Sequence, residues 1–222
     1  MLVAQNIHKT YREGDKAIAV LEGVNFEMGP RRRIGVVGAS GVGKSTLLHI
    51  LGGLDSPDTG KIFVEKDNLY QLSEDKRARL RNRYFGFVFQ FYHLLPELTA
   101  LENVFLPALI AGFSKKEAHE WASPALEQVG LKTRASHHPS ELSGGEQQRV
   151  ALARACVLKP KVILADEPTG NLDEKTGDEV LKFLLDGVEA AEGSLVLVTH
   201  NKELLKNCDE IFELKHGQLQ KI

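Results

Sequence analysis

Short apolar runs, rich in β-branched residues, recur along the chain, with longer stretches of mixed character between them. The clearest are Arg33–Val37, Gly86–Phe89, Val162–Ala165, Leu195–Val198 and Glu210–Leu214. Each is apolar nearly throughout, which fits strands buried on both faces of a parallel sheet covered by helices. Leu2–Asn6, Ile18–Phe26 and Lys61–Val64 alternate more and predict a small antiparallel sheet at one side.

The strand pattern stops between Gln90 and Leu158. Thr99-Ala100-Leu101-Glu102 and Ser114-Lys115-Lys116-Glu117 are capping boxes, so a helix is predicted to start at each. Pro107 falls inside the first and is expected to interrupt it. Leu126, Val129 and Leu131 continue an apolar stripe, and His137-His138-Pro139 marks the loop leading back. The pattern is an α/β core with a helical insertion, without internal repeats or low-complexity tracts.

Composition narrows the function classes. The chain has 222 residues, 42% of them hydrophobic, enough for a sizeable core. Its 28 basic and 30 acidic residues leave a net charge of −2, so bulk electrostatics gives no reason to expect a nucleic-acid partner. The local basic groups, Arg31-Arg32-Arg33 and Lys76, Arg77, Arg79, Arg81, Arg83, read as solvated faces. Cys156 and Cys208 lack metal-ligand spacing and fit a reducing compartment. No apolar stretch approaches the ~18 residues that a span needs. Met1–Asn6 lacks a signal-peptide pattern. A cytosolic chain is expected, with any membrane role arising through a partner.

Gly38-Ala39-Ser40-Gly41-Val42-Gly43-Lys44-Ser45 matches the phosphate-binding pattern GxxxxGK[ST]. It follows the strand Arg33–Val37 and precedes the helical run Thr46–Leu51, the context the motif requires. Its glycines let successive N–H groups turn inward onto phosphates, and the helix N-terminus adds partial positive charge. Lys44 is expected on the β- and γ-phosphates and the Ser45 hydroxyl on Mg²⁺. The plain alternative, a chance glycine turn, does not account for the strand before and the helix after. A GTPase needs an Asn-Lys-x-Asp guanine reader, and Asn201-Lys202-Glu203-Leu204 lacks the final Asp.

Val162–Ala165 runs into Asp166-Glu167. At the tip of a parallel strand these carboxylates are expected to face the phosphate crevice, Asp166 holding Mg²⁺ and Glu167 polarising the attacking water. An acidic pair after a strand is common as a helix cap; the upstream phosphate loop gives it a catalytic reading. Thr199-His200 ends the strand Leu195–Val198, from which the imidazole is placed to sense a γ-phosphate. Gln90 ends Gly86–Phe89 and offers an amide oxygen to the metal; without family context it reads as a polar strand end.

Leu142-Ser143-Gly144-Gly145-Glu146-Gln147-Gln148-Arg149 is a capping box with two glycines beside the cap, which makes a second anion-binding helix N-terminus. Here the chain resembles the ABC (ATP-binding cassette) ATPase family, whose signature this octapeptide matches. The other motifs fall in that family's order. Tyr11 matches the aromatic residue that stacks on adenine, Gly38–Ser45 with Thr46 the Walker A loop, and Gln90 the Q-loop. Val162–Glu167 matches Walker B, Asn171-Leu172-Asp173 the D-loop and His200 the switch histidine. The resemblance implies a P-loop NTPase fold: a RecA-like parallel-sheet core (residues 1–89 and 158–222), a small antiparallel β subdomain, and an inserted helical subdomain (about 90–157). It also implies a head-to-tail homodimer, each ATP lying between the phosphate loop of one copy and Ser143, Gly144 and Gly145 of the other.

Phe91–Val104, Leu51–Asp55, Pro139–Leu142 and Ala165–Asp173 are similar to the group of ABC ATPases that serves bacterial lipoprotein release. That group also contains MacB-type exporters and FtsE-type cell-division ATPases. The resemblance implies permease partners of the LolC/LolE kind, docking near the Q-loop and the helical insertion, and a peripheral position on the cytoplasmic face of the inner membrane. Gly29-Pro30-Arg31 departs from the Gly-Glu usual before the phosphate-loop strand. Val42 replaces a commoner Ser but contributes only its backbone N–H. The end at Ile222 disfavours a fused membrane domain. Among non-transport ABC ATPases, SMC-type clamps need long coiled coils, for which the stretch between Ser45 and Leu142 is too short. Ribosome-associated factors usually carry two cassettes. A dead regulatory site is disfavoured by the intact Lys44, Asp166, Glu167 and His200.

Overall fold

The structure is a computed structural model describing residues 1–14 and 16–222, with the backbone alone for Glu13 and Lys202. The chain begins with β1 (Leu2–Glu13), β2 (Lys16–Met28), β3 (Arg33–Val37) and α1 (Lys44–Leu51). Next come β4 (Thr59–Val64), β5 (Asp67–Asn68), α2 (Glu74–Tyr84) and β6 (Phe85–Phe89). Three helices follow, α3 (Ala100–Ile110), α4 (Lys115–Gln128) and α5 (Gly144–Cys156). The chain then forms β7 (Val162–Asp166), α6 (Glu174–Ala190), β8 (Ser194–Val198), α7 (Lys202–Leu205), β9 (Glu210–Lys215) and β10 (Gln218–Lys221).

Two compact units form, one from residues 1–81 with 194–222, the other from residues 82–193. The first contains an antiparallel sheet in the order β2-β1-β4-β5. It also contains strands in the order β10-β9-β3-β8, in which β3 runs parallel to both β8 and β9. Ile34, Val36, Leu47, Leu48, Ile50, Leu51 and Leu195–Val198 are buried between these elements. Burial of the β8 side chains on both faces explains its unbroken apolar run. The β9–β10 hairpin turns on His216 and Gly217, both left-handed (φ 49° and 72°), as a two-residue hairpin loop requires.

The second unit pairs β6 and β7 in parallel and packs α3, α4, α5 and α6 around an apolar cluster including Val104, Phe105, Leu126, Val150 and Leu142. The predicted capping boxes are present: Thr99 with Glu102, Ser114 with Glu117, and Ser143 with Glu146. Fully buried Asn103 accepts from the Leu95 N–H and donates to the carbonyls of Leu95, Leu98 and Thr99, fixing the loop into α3.

Pro107 does not interrupt its helix; α3 continues through it to Ile110. An interior proline costs about 3 kcal/mol. Burial of Ala100, Val104, Phe105 and Ala108 against α4 and α5 offsets that cost, and the Pro107 carbonyl still accepts from Ala111. β1 and β2 are longer than their apolar patterns indicate, because β2 opens with four consecutive exposed residues whose backbone pairing the side chains do not announce.

Candidate functional site

In the first unit β3 ends at Val37 and the chain turns into the glycine loop. Gly38, Gly41 and Gly43 have φ of 153°, 75° and 109°. A Cβ on Gly38 would lie 2.4 Å from the Leu214 carbonyl oxygen, and one on Gly43 2.4 Å from Val20 Cγ1. Both positions therefore exclude a side chain by contact as well as by conformation. Gly43 caps α1 with no side-chain hydrogen bond, so the first-turn N–H groups there receive no side-chain cap. Buried Lys44 donates from Nζ to the carbonyls of Gly38 (3.0 Å) and Ala39 (2.9 Å), placing its ammonium inside the loop. Ala39, Ser40, Gly41 and Ser45 are exposed, and Val42 and Thr46 half-buried. The result is a rim of N–H groups around a fixed cation, suited to a polyphosphate.

The parallel register sets Val36 beside Val198, and the Thr199 N–H donates to the Val36 carbonyl. His200, exposed, thus leaves the sheet at the same edge as the glycine loop. Tyr11, on β1, donates to Asp55 Oδ2 at 2.7 Å. Lys9 Nζ stands 4.9 Å from the Tyr11 ring centroid and donates to Asp55 Oδ1. Burial, then the Asp55 contact, raises the Tyr11 pKa, so the phenol stays protonated. Its polar end is anchored while the residue stays exposed.

In the second unit Phe89 is paired with Asp166, so Gln90 and Glu167 emerge side by side at the carboxyl ends of β6 and β7. Glu167 adopts φ 46°, a left-handed conformation disfavoured for a side chain of this size. Gln90 Nε2 donates to Asn171 Oδ1 (2.9 Å), and Asn171 Nδ2 donates to the Gln90 carbonyl (3.0 Å). The Gln90 Oε1 is the atom left over by this exchange.

The signature turn opens α5. The Ser143 hydroxyl accepts from the Glu146 N–H, and the Glu146 carboxylate accepts from the Ser143 N–H at 2.8 Å. That backbone bond, foremost, holds the Glu146 carboxyl below its usual range. Ser143 is exposed, whereas Gly145 is buried, and a Cβ there would meet Thr176 Cγ2 at 2.4 Å.

Sequence patterns gave no role of its own to Gln148, though it lies in the signature octapeptide, and did not single out Arg154; both hydrogen-bond main-chain carbonyls around Gln90. Only the burial of Gln148 sets it apart, and burial is not written in a helix's polar positions. A serine hydroxyl, an amide oxygen and a carboxylate, as on Ser45, Gln90 and Asp166, are each hard oxygen donors of the type that Mg²⁺ takes.

Residues 21–170 match the family described as "ABC transporter". The chain is 48% identical over 219 residues to the lipoprotein-releasing system ATP-binding protein LolD of Legionella pneumophila (strain Paris), covering 99% of this chain and 96% of that protein. Its identity to the LolD of Coxiella burnetii (strain RSA 493 / Nine Mile phase I) is 52% over 217 residues, covering 97% and 93%. Among solved structures it is similar to the ATP-binding cassette MJ0796, in a dimeric post-hydrolysis state bound to ADP and Pi. The TM-score is 0.91 at 38% identity, covering 100% of this chain and 98% of that one. With the glycine cradle, the paired strand-end carboxylates and the capped signature helix, these likenesses establish that the chain belongs to the ABC transporter family, as an ATP-hydrolysing member.

Proposed function

We propose that this protein is the motor subunit of a transporter that releases outer-membrane lipoproteins from the bacterial inner membrane. The observation that carries this reading is identity of 48% to 52%, over nearly the whole chain, to proteins named for lipoprotein release. The membrane partners are permease subunits of the LolC/LolE kind, met near Gln90 and the helices α3 and α4. The protein works at the cytoplasmic face of that membrane, and no helix among the described residues is long and apolar enough to cross it.

ATP is clasped between two copies. The exposed Ser143 and the glycines behind it give a capped helix N-terminus for the γ-phosphate of the partner copy's nucleotide. The MJ0796 cassette, solved as a dimer, supports this reading. Tyr11 stacks on the adenine, and the N–H groups of Gly38–Thr46 with Lys44 hold the phosphates. Ser45, Gln90 and Asp166 hold Mg²⁺. When bound, the ion neutralises charge developing on the phosphoryl oxygens. Glu167 orients the attacking water and accepts its proton as the bond between the γ-phosphorus and the β–γ bridging oxygen breaks. His200 contacts the γ-phosphate, so its loss on hydrolysis is felt at that strand end. Closing on ATP and opening after hydrolysis give two states whose difference in nucleotide contacts drives the membrane subunits.

Two measurements test this. Glu167→Gln is expected to dimerise on adding ATP and to lose at least about 100-fold in turnover; a monomer under saturating ATP, or normal turnover, refutes the clasp. Purification of the native complex in mild detergent is expected to bring down permease chains with lipidated passengers. Recovery of a division protein or a drug exporter refutes the lipoprotein assignment and leaves the motor intact.

A further inference from the structure

The helix α5 does more than present Ser143. Two of its side chains reach the segment that holds Gln90, one on either side of it. Gln148, fully buried, donates from Nε2 to the Phe89 carbonyl (3.3 Å) and the Pro168 carbonyl (2.6 Å). Arg154 donates from Nη1 to the His93 carbonyl (2.6 Å) and from Nη2 to the Tyr92 carbonyl (2.7 Å).

Tyr92 and His93 are consecutive left-handed residues, with φ of 60° and 48°. Each carries a cost of about 1 kcal/mol or more that something nearby must offset. Arg154 has no carboxylate within ion-pair distance among the described residues, and burial pushes its pKa down to about 10. A desolvated guanidinium needs hydrogen-bond acceptors, and its planar fork suits two adjacent carbonyls. The strained turn supplies the acceptors, and the arginine holds the turn. The His93 ring adds an edge-to-face contact with Phe89, with centroids 5.0 Å apart.

We propose that Arg154 and Gln148 are positioning residues that fasten the Phe89–His93 segment to the signature helix, so that Gln90 keeps its place relative to the Ser143–Gly145 turn. This rests on the reading of Gln90 as a Mg²⁺ ligand. A merely structural role for the pair predicts lower thermal stability and nothing more; a positioning role predicts a change at the metal.

The test uses the full chain. Arg154→Met removes the fork, Arg154→Lys keeps the charge at a single point, and Gln90→Ala is the reference. Amide hydrogen exchange over residues 89–95 and the affinity for a fluorescent ATP analogue with and without Mg²⁺ are measured. Arg154→Met is expected to speed exchange in that segment by about tenfold or more while the amides of α5 keep their protection. Its affinity without Mg²⁺ stays unchanged, and the gain on adding Mg²⁺ falls to the Gln90→Ala level. Arg154→Lys falls between, and the double variant Gln90→Ala/Arg154→Met is no worse than Gln90→Ala alone. If Gln90→Ala loses the Mg²⁺ gain and Arg154→Met keeps it, the positioning role is wrong. Unchanged exchange in both arginine variants overturns the fastening whatever Gln90→Ala shows. A Mg²⁺ gain intact in Gln90→Ala refutes the metal role of Gln90, on which the proposal depends. If Arg154→Met does not fold, Arg154→Lys supplies the same comparisons.

Discussion

Gln90 and Asn171 form a closed amide pair: Gln90 Nε2 donates to Asn171 Oδ1, and Asn171 Nδ2 donates back to the Gln90 carbonyl. The side chain of one motif loop thereby fixes both the backbone and the amide orientation of another. Gly170 leaves the room for it, since a Cβ there would lie 3.1 Å from Gln90 Nε2. In Asn171→Ala the Gln90 amide loses the partner that fixes its orientation and, on the proposed reading, would no longer be held ready for a metal. Because the pair is exposed, the stability loss is expected within about 1 kcal/mol. Turnover is expected to fall roughly five- to tenfold, the rate equivalent of about 1 kcal/mol of lost positioning. Steady-state ATPase assays and thermal melts on the same preparation check both halves. Gln90→Ala should lower turnover by no less than Asn171→Ala.

The glycine loop predicts an order of damage. Gly38 and Gly41 both have positive φ, but only Gly38 is also closed in by backbone, the Leu214 carbonyl, which cannot step aside as a side chain could. A Cβ on Gly41 meets nothing within 4 Å. Gly41→Ala is therefore expected to cost about 1 kcal/mol, the left-handed penalty alone, and to keep most nucleotide affinity. Gly38→Ala must displace β9 or the loop, and is expected to lose nucleotide binding and several times more stability. Urea unfolding and fluorescent-nucleotide titration rank the two.

The capping boxes predict a pH dependence. Hydrogen bonds within their boxes hold the Glu102 and Glu146 carboxyls low, the backbone N–H groups of Thr99 and Ser143 contributing most. A carboxyl depressed in the folded state adds stability that is complete above its unfolded value, about 4.5, and is lost as pH falls through the folded value. Stability should therefore drop below about pH 4.5, and Glu146→Gln should narrow its gap from the unaltered protein as the pH falls through that window. Ser143→Ala should cost about 1 kcal/mol at neutral pH. Urea midpoints at about pH 6 and about pH 3 test the sign.

What the sequence disclosed depended on the range of the interaction. The phosphate loop and the three capping boxes are short motifs whose partners lie within a few residues, so spacing alone reveals them. β8 was legible because burial on both faces leaves no polar position. The Arg154 clamp was hidden, since its acceptors are main-chain carbonyls as far as 62 residues away that any residue type can present. Pro107 misled in the opposite direction: a local rule predicted an interruption, and packing of α3 on two neighbouring helices overrode it. Residues 74–84 showed a charged run without an apolar stripe, and α2 has no buried residue. Its charges are nonetheless used: Arg81 donates to the Gly53 carbonyl, and Arg77 lies over the Tyr70 ring.

Glu167 offers a separation of stability from activity. Its φ of 46° places a long side chain in the region where glycine is at ease, at the carboxyl end of β7. Strain of this kind persists where a side chain is needed in a position its backbone does not favour. Glu167→Gln keeps both the side-chain length and the left-handed backbone, so its melting temperature should stay close to that of the unaltered protein. Glu167→Gly relieves the conformation, worth about 1 kcal/mol, offset in part by the greater freedom of glycine in the unfolded chain. Its stability should equal or exceed that of Glu167→Gln. On the proposed mechanism both variants lack the carboxylate that would accept the water's proton, so both should lose turnover by about 100-fold or more while still binding nucleotide. Thermal melts without nucleotide, nucleotide titration and ATPase rates on the pair decide the matter. A Glu167→Gly protein markedly less stable than Glu167→Gln would show that contacts of this side chain, rather than its backbone conformation, dominate the energetics of the β7 end.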